Sequence, residues 1–493
     1  MLCKIFTAIC RVVFFIFVAL AILGCDEKSS YIRVGIPTAP SSLDPRFGLD
    51  AVSVRLQQLL HRSIVTFDHD MRPVPDLASW KALSPVHYRF KLIGEPKFSD
   101  GSRLSSHDVA ATYRSILQPE TLSPHLGSLQ NVLSVKVVDI DTVDFYLRQA
   151  DIFFPMTLVS GILSAEDVHD SVPVRLQKSS GAFEFLTDDK ALLLRRRKDG
   201  VIFEFLSISD TNARALRLIA GEIDILQGDI SPSSYNYLLS HENIRGMRAK
   251  GTTFSYLGFN LTKGITSEHK LRRAISLAVD RHEILKFLFH DTARAASAIF
   301  PPEHWAGSDT LPEIDFDPSK ARILVSELED KYGPISFSYK TSTNKFRQRI
   351  ASVIQAQLAE VGIDMKIERL DFGTLMRDVT KGRFQVYSLS WVGLNSPDMF
   401  RQIFHSVSLP PSGKNRGHYR STVADSYIEA AEKEASFIKR VDIYGKLELH
   451  VLNDLPYFPL WFEDQLAVWG ISINGYKVDS TGSYKGLLEV EKK

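Results

Sequence analysis

The chain has 493 residues, 44% of them hydrophobic and 24% charged, an ordinary globular composition on a length too great for one core, so two or three domains are expected. Its 59 Lys and Arg stand against 58 Asp and Glu, and a formal charge of +1 removes the electrostatic case for a nucleic-acid partner. The three cysteines, Cys3, Cys10 and Cys25, all lie at the N-terminus, so the rest of the chain has no thiol for a disulfide, a zinc-thiolate site or a nucleophile.

The first element in chain order is a secretory signal. Lys4 and Arg11 flank the start of an apolar run over 12–23, and Gly24-Cys25 follows. The run is too short to span a bilayer, which needs roughly 20 apolar residues. The Gly24-Cys25 junction resembles a bacterial lipobox. Residues 1–24 are therefore expected to be removed, and Cys25 to carry lipid and tether the mature protein to a membrane. Asp26, next to that cysteine, resembles the retention signal of enteric lipoproteins and points to the periplasmic side of the cytoplasmic membrane.

Residues 26–30 read as a polar tether and 31–36 as a strand. Residues 52–60 read as a helix with Val52, Leu56, Leu59 and Leu60 on one side. A short strand over 87–92 precedes a turn at Phe98-Ser99-Asp100-Gly101. Ser105 and Asp108 have capping-box spacing, and Val109, Thr112, Tyr113, Ile116 and Leu117 continue with helical spacing. Strands are expected over 132–138 and 142–147, and a hairpin over 192–206 with Asp199-Gly200 at its turn. The run Arg195-Arg196-Arg197-Lys198 reads as a solvated strand end. A helix over 267–280 places Leu271, Ala274, Ile275, Ala278 and Val279 on one face. Further helices begin at Asp317-Pro318 and run over 346–361 and 371–381, the last two stopped by Gly362 and Gly382; Ile363, Met365 and Ile367 alternate as a strand. This order of strands and amphipathic helices predicts α/β domains.

Chemistry-bearing motifs are missing. There is no Gly-x-Ser-x-Gly, His-Glu-x-x-His, Walker or Gly-x-Gly-x-x-Gly pattern, and the 14 histidines form no pair with metal-ligand spacing. Catalytic groups also assemble from distant positions, so this lowers the expectation of an enzyme without removing it. No cofactor and no metal are expected.

A series of short segments falls in one order along the chain. It runs from Ser42-Leu43-Asp44-Pro45 through Val74-Pro75-Asp76-Leu77-Ala78-Ser79-Trp80, Tyr88-Arg89-Phe90-Lys91-Leu92, Phe98 to Gly101 and Asp108-Val109. It continues through Ala220-Gly221-Glu222-Ile223-Asp224, Phe259-Asn260, Leu271-Arg272-Arg273-Ala274-Ile275 and Val279-Asp280-Arg281. Asp317-Pro318 with Ala321, Asn415 with Gly417 and Tyr419, and Leu455-Pro456 with Pro459-Leu460 complete it. The series resembles the oligopeptide- and dipeptide-binding family of extracellular solute-binding proteins that serve ABC importers.

The resemblance implies a two-lobed, periplasmic-binding-protein-like α/β fold with a hinge and an extra subdomain in the first lobe. Lobe I would comprise 25–50, 179–259 and 457–493, the subdomain 51–178, and lobe II 260–456. A monomer of this kind closes on a peptide or peptide-like ligand and delivers it, chemically unchanged, to an ABC permease complex. The ligand backbone pairs with strand edges from both lobes. Thr38, Ala39 and Pro40 correspond to one edge, Ser390, Trp391, Val392, Gly393 and Leu394 to the other, and His125 to a residue that reaches the cleft. Arg272 and Asp280 read as helix salt links or caps. Leu394 stands where the family carries an acid for the ligand's α-ammonium, and burying an ammonium without a partner costs several kcal/mol. Either Asp398, the nearest acid in sequence, substitutes, or the ligand has no free amine there. The alternative solutes are an amine-blocked cell-wall peptide, a metal chelate or haem.

Overall fold

The computed structural model describes residues 31–48, 50–68, 70–168, 178–186, 191–262, 264–392, 394, 396–410 and 413–493. The signal, Cys25, residues 26–30 and Gly393 lie outside that set. β1 (Ile32–Ile36) buries Ile32, Val34 and Ile36. α1 (Ala51–Leu60), capped by Asp50, turns Val52, Leu56, Leu59 and Leu60 onto the same core.

The chain then builds a separate unit from β2 (Ala78–Ser84), β3 (His87–Leu92), α2 (Ser106–Leu117), β4 (Val132–Asp139) and β5 (Thr142–Leu147). Its sheet is antiparallel in the order β2-β3-β5-β4. α2 opens on the expected capping box of Ser105 and Asp108, and Val109, Tyr113 and Ile116 pack against Phe90 and Phe145. α1, placed by the sequence reading inside this unit, sits outside it, because its apolar stripe meets the β1 core.

The chain returns through β6 (Phe183–Leu186), β7 (Leu192–Arg196), β8 (Ile202–Ser207) and β9 (Ile225–Gln227). β1 pairs in parallel with β8 and β9, which buries it on both edges. Gly200, at φ +76°, makes the β7–β8 turn. The basic run there is not uniformly solvated. Strand alternation turns Arg196 inward to 2% exposure, where it pairs with Asp199 and donates from Nη1 to the carbonyls of Leu487 and Val490, each at 2.8 Å. Arg197 donates to the Gly181 and Phe98 carbonyls, while the exposed Arg195 and Lys198 pair with Glu184 and Glu489, so all four cations fasten chain segments to each other.

Two long strands link this half to the other. The first is β10 (Ile244–Phe259). After it come β11 (Ala293–Ala295), β12 (Ser336–Ser342), α3 (Lys345–Ala359), β13 (Asp364–Leu370), β14 (Val386–Trp391) and α4 (Phe437–Asp454). The chain then returns through β15 (Tyr457–Gly470). The outcome is one eleven-stranded sheet, β13-β12-β14-β10-β15-β9-β1-β8-β7-β6, with β11 added to β15.

β10 and β15 pair from Ile244↔Gly470 to Ala249↔Gln465, and again from Thr253↔Glu463 to Gly258↔Tyr457. Between these stretches Lys250, Gly251 and Thr252 face Asp464 alone, a bulge that bends and twists the ladder. A Cβ on Gly251 would lie 2.0 Å from the Glu463 carbonyl oxygen, so the close approach requires glycine. The expected lobe limits at 259/260 and 456/457 coincide with the end of β10 and the start of β15.

The second half holds two apolar clusters, one around Phe337 and Trp461, the other around Tyr256, Tyr387 and Tyr444. The latter also takes in Met71, Phe153 and Met156, so the inserted unit presses on the second half. Arg272 is buried and donates to the Leu455 and Asp454 carbonyls, while Asp280 caps the helix Arg281–Phe287, both in the structural roles read from sequence.

Glu448 on α4 is buried in this half, and its oxygens make no close hydrogen bond. Burial pushes its carboxyl well above the usual 4.5, against the pull of the Phe300 and Ser308 backbone. A group raised in this way is at no disadvantage below 4.5 and costs stability as the pH climbs from there through its folded value. Glu448→Gln is therefore expected to raise the urea midpoint at pH 8 relative to the parent and to show less gain at pH 4.5.

Candidate functional site

A cavity of about 360 Å³ opens beside the second-half end of β10, between β14, α3 and the helix Phe372–Thr380. Its volume is at the low end of the range for small-ligand sites, roughly 300–1,000 Å³. β14 alternates here. Ser388 and Ser390 interleave with Leu389 and Trp391, and the strand hydrogen-bonds to β10 from Phe254↔Trp391 to Phe259↔Val386. Ser255 on β10 and Ser390 share a hydroxyl hydrogen bond of 2.7 Å, and the Ser255 hydroxyl donates to Glu463 Oε1 at 2.5 Å.

Asn344 caps α3 and so presents the helix's first turn to the cavity. From that turn Arg347 makes a two-pronged pair with Glu463, Nη1 to Oε1 at 2.6 Å and Nη2 to Oε2 at 2.9 Å. Burial would raise the Glu463 carboxyl, but Arg347 and Ser255 override it and hold it below the usual range. Glu463 adjoins Asp464, the residue opposite the bulge. A group on the cavity wall is thus tied directly to the crossing between the halves. Glu463→Ala leaves Arg347 without its counter-charge. The side chains are 31% and 20% exposed, so the expected cost is about 2–3 kcal/mol, below that of a sealed pair. Urea unfolding of Glu463→Ala and of the double variant with Arg347→Ala checks this; the double variant should recover part of the loss.

Trp391 closes one end. Its ring lies parallel to Tyr256, with centroids 6.3 Å apart at 9°. The Arg416 guanidinium sits 4.6 Å from the Trp391 centroid and Lys414 Nζ 5.6 Å from it. Arg416 Nη1 donates to the Tyr256 hydroxyl at 3.4 Å. The Trp391 Nε1–H is buried and has no acceptor among the described residues. Burial, together with Arg416, holds the Lys414 ammonium down against the pull of Asp398.

Of the residues named from sequence, Ser390, Trp391 and Val392 meet on the cavity wall, Val392 at 63% exposure near its mouth. Leu394 does not line it: at 2% exposure it packs into the apolar cluster of Phe400, Phe404 and Tyr444. Asp398, in the first turn of the helix Asp398–Phe404, also stands off the wall. Burial, with Asp151 and Glu432 close by, pushes its carboxyl up, and it accepts from Gln402 at 3.3 Å. Thr38 and Ala39 are exposed beyond β1, with the Thr38 hydroxyl donating to the Ala39 carbonyl, and Pro40 follows them; none touches the cavity. His125 is half-buried at the start of a short turn near Gly48, and burial lowers its pKa.

Sequence reasoning missed Ser255, Arg347, Arg416 and Glu463. Ser255 interrupts the apolar end of β10 and was the one visible signal; the other three acquire meaning only through pairings across long stretches of chain. Among the described residues no group of three or more His, Cys, Asp or Glu is placed to hold a metal ion.

The sequence profile of bacterial extracellular solute-binding proteins, family 5 Middle, matches residues 72–408. The oligopeptide-binding protein AppA of Bacillus subtilis (strain 168) is 23% identical over 492 residues, with 92% of this chain and 90% of that protein covered. The structure of AppA from Bacillus subtilis with a nonapeptide aligns at a TM-score of 0.76 and 22% identity, covering 94% of this chain and 98% of that one. NikA from Brucella suis in complex with Fe(III)-EDTA aligns at 0.84 and 19% identity, covering 94% of this chain and 100% of that one. These likenesses establish the two-lobed α/β fold.

Proposed function

The chain belongs to the bacterial extracellular solute-binding proteins of family 5, the binding components of ABC importers, and from that premise we propose that it captures a peptide or peptide-like solute between its lobes and hands it to a permease. Its relatives are binding proteins and not enzymes, and the same holds for this chain. The observation that carries the peptide reading is the cavity at the β10–β14 edge, where strand backbone, serine hydroxyls and Trp391 converge, with Ser255 three residues from the bulge. Strand edges supply sequence-tolerant pairing, and an aromatic wall supplies contact area.

The lobes divide at the bulge, at 250–252 and 464. The loop at Thr38, Ala39 and Pro40 forms the opposing edge when they close. Closure follows when a solute has greater affinity for the closed arrangement than for the open one. Cys25 carries the lipid that keeps this monomer on the periplasmic side of the cytoplasmic membrane. Mass spectrometry of the solute released from freshly purified protein by denaturation tests the reading. Recovery of intact peptides supports it, and recovery of non-peptide solutes alone refutes it.

A further inference from the structure

Resting on the reading that this cavity holds the transported solute, we infer that the solute carries a carboxylate, bound by Arg416 with Lys414 beside Trp391. Three observations meet there. The first is charge. Arg347 is neutralised by Glu463, but Arg416 has no ion pair among the described residues and only a long hydrogen bond to Tyr256. Among the described residues Lys414 Nζ meets the Trp391 ring and Met399 Sδ, the latter at 3.6 Å, and Asp398 acts on it without an ion-pair contact. The second is hydrogen bonding. The buried Trp391 Nε1–H also lacks an acceptor among the described residues, on the side chain that Arg416 and Lys414 flank. Buried donors left unmatched are costly, and a planar guanidinium suits a carboxylate. The third is the absence of any Asp or Glu from the cavity wall among the described residues, with Leu394 withdrawn into the core. An anion finds cationic donors here, and an ammonium finds no carboxylate among the described wall residues.

The carboxylate has two sources, a peptide with a blocked or remote amine and a polycarboxylate chelate. Calorimetry with the purified protein separates them. The probes are the tripeptide Ala-Leu-Ala with its amine free or acetylated and its carboxyl free or amidated, and Fe(III)-EDTA without peptide. The expected result is that a free-carboxyl probe binds, and that amidation of a peptide probe or Arg416→Gln weakens binding about ten- to a hundredfold. Arg416→Lys should restore part of the loss, while melting temperatures of the unliganded variants stay near the parent's. Amidated peptides that bind as well as the acids overturn the inference and leave the peptide reading standing. Fe(III)-EDTA binding through Arg416 while every peptide fails supports the subsite and removes the peptide reading. Binding of no carboxylate probe, or binding indifferent to Arg416→Gln, overturns the subsite.

Discussion

Replacing Asp44 by alanine is expected to destabilise the protein by about 3–5 kcal/mol, the cost of leaving a buried charge without its partner. The partner is Arg46, and both side chains are 0% exposed. Arg46 Nε meets Asp44 Oδ1 at 3.1 Å and Nη2 meets Oδ2 at 2.8 Å. The same guanidinium donates from Nη1 to the Ser115 hydroxyl at 2.6 Å, and the Ser123 hydroxyl donates to the Arg46 carbonyl at 2.6 Å. Ser115 lies on α2, in the inserted unit. The loop after β1 is therefore pinned to that unit by the hydrogen bonds of Arg46, whose guanidinium Asp44 holds in place, and Gln57 on α1 holds the Asp44 carbonyl from the other side at 3.0 Å. Urea unfolding at pH 7 measures the loss. Asp44→Ala combined with Arg46→Met, which removes both charges, should regain a large part of it. A loss below about 1 kcal/mol would place the pair among those that surrounding solvent already screens.

Acid is expected to weaken the same joint through His61. Its imidazole is buried with no close partner on either ring nitrogen, and burial lowers its pKa from 6.5 to about 4, against the attraction of Asp44 and the Ile162 backbone. The folded protein thus holds a neutral ring that the unfolded chain would protonate. For a folded pKa below the unfolded one, the contribution is complete above pH 6.5 and fades as the pH falls from there to about 4. The difference corresponds to about 3 kcal/mol across that window. His125, lowered by burial and facing Asp44 as well, adds in the same direction. Stability measured between pH 7 and pH 4 should fall steeply in the parent and much less in His61→Leu. Equal slopes would show that the ring is not the group that titrates.

Local chemistry made much of the fold legible. Capping residues marked where helices begin, as Ser105 with Asp108 and Asp317 before Pro318 show, and glycines at positive φ, Gly200, Gly362 and Gly382, marked where elements stop or turn. Trp391 came into view through the family resemblance, and β14 carries it to the cavity wall. What escaped was set by distance along the chain. Glu463 meets Arg347 across 116 positions, and neither residue stands out in its own segment. Arg196 looked like part of a solvated basic run because its carbonyl partners lie almost at the C-terminus. Leu394 matched a family position by sequence, yet its side chain joins the core and not the cavity wall. Thr38, Ala39 and Pro40 likewise follow the first strand as expected but stand apart from the cavity.

The three-against-one bulge between β10 and β15 has a mechanical consequence. Two bodies joined by a loose tether reorient freely, whereas two bodies built on one hydrogen-bonded sheet rotate only as far as its weakest rung allows. Here the ladder is broken by Lys250, Gly251 and Thr252 against Asp464, and its register shifts again between Ser255 and Tyr256. On the closure proposed above, the torque resisting a swing of one lobe would be concentrated in those few peptide units, and the residence time of a captured solute would depend on their compliance. Sequence changes there would alter how long cargo stays aboard without touching an atom that contacts it.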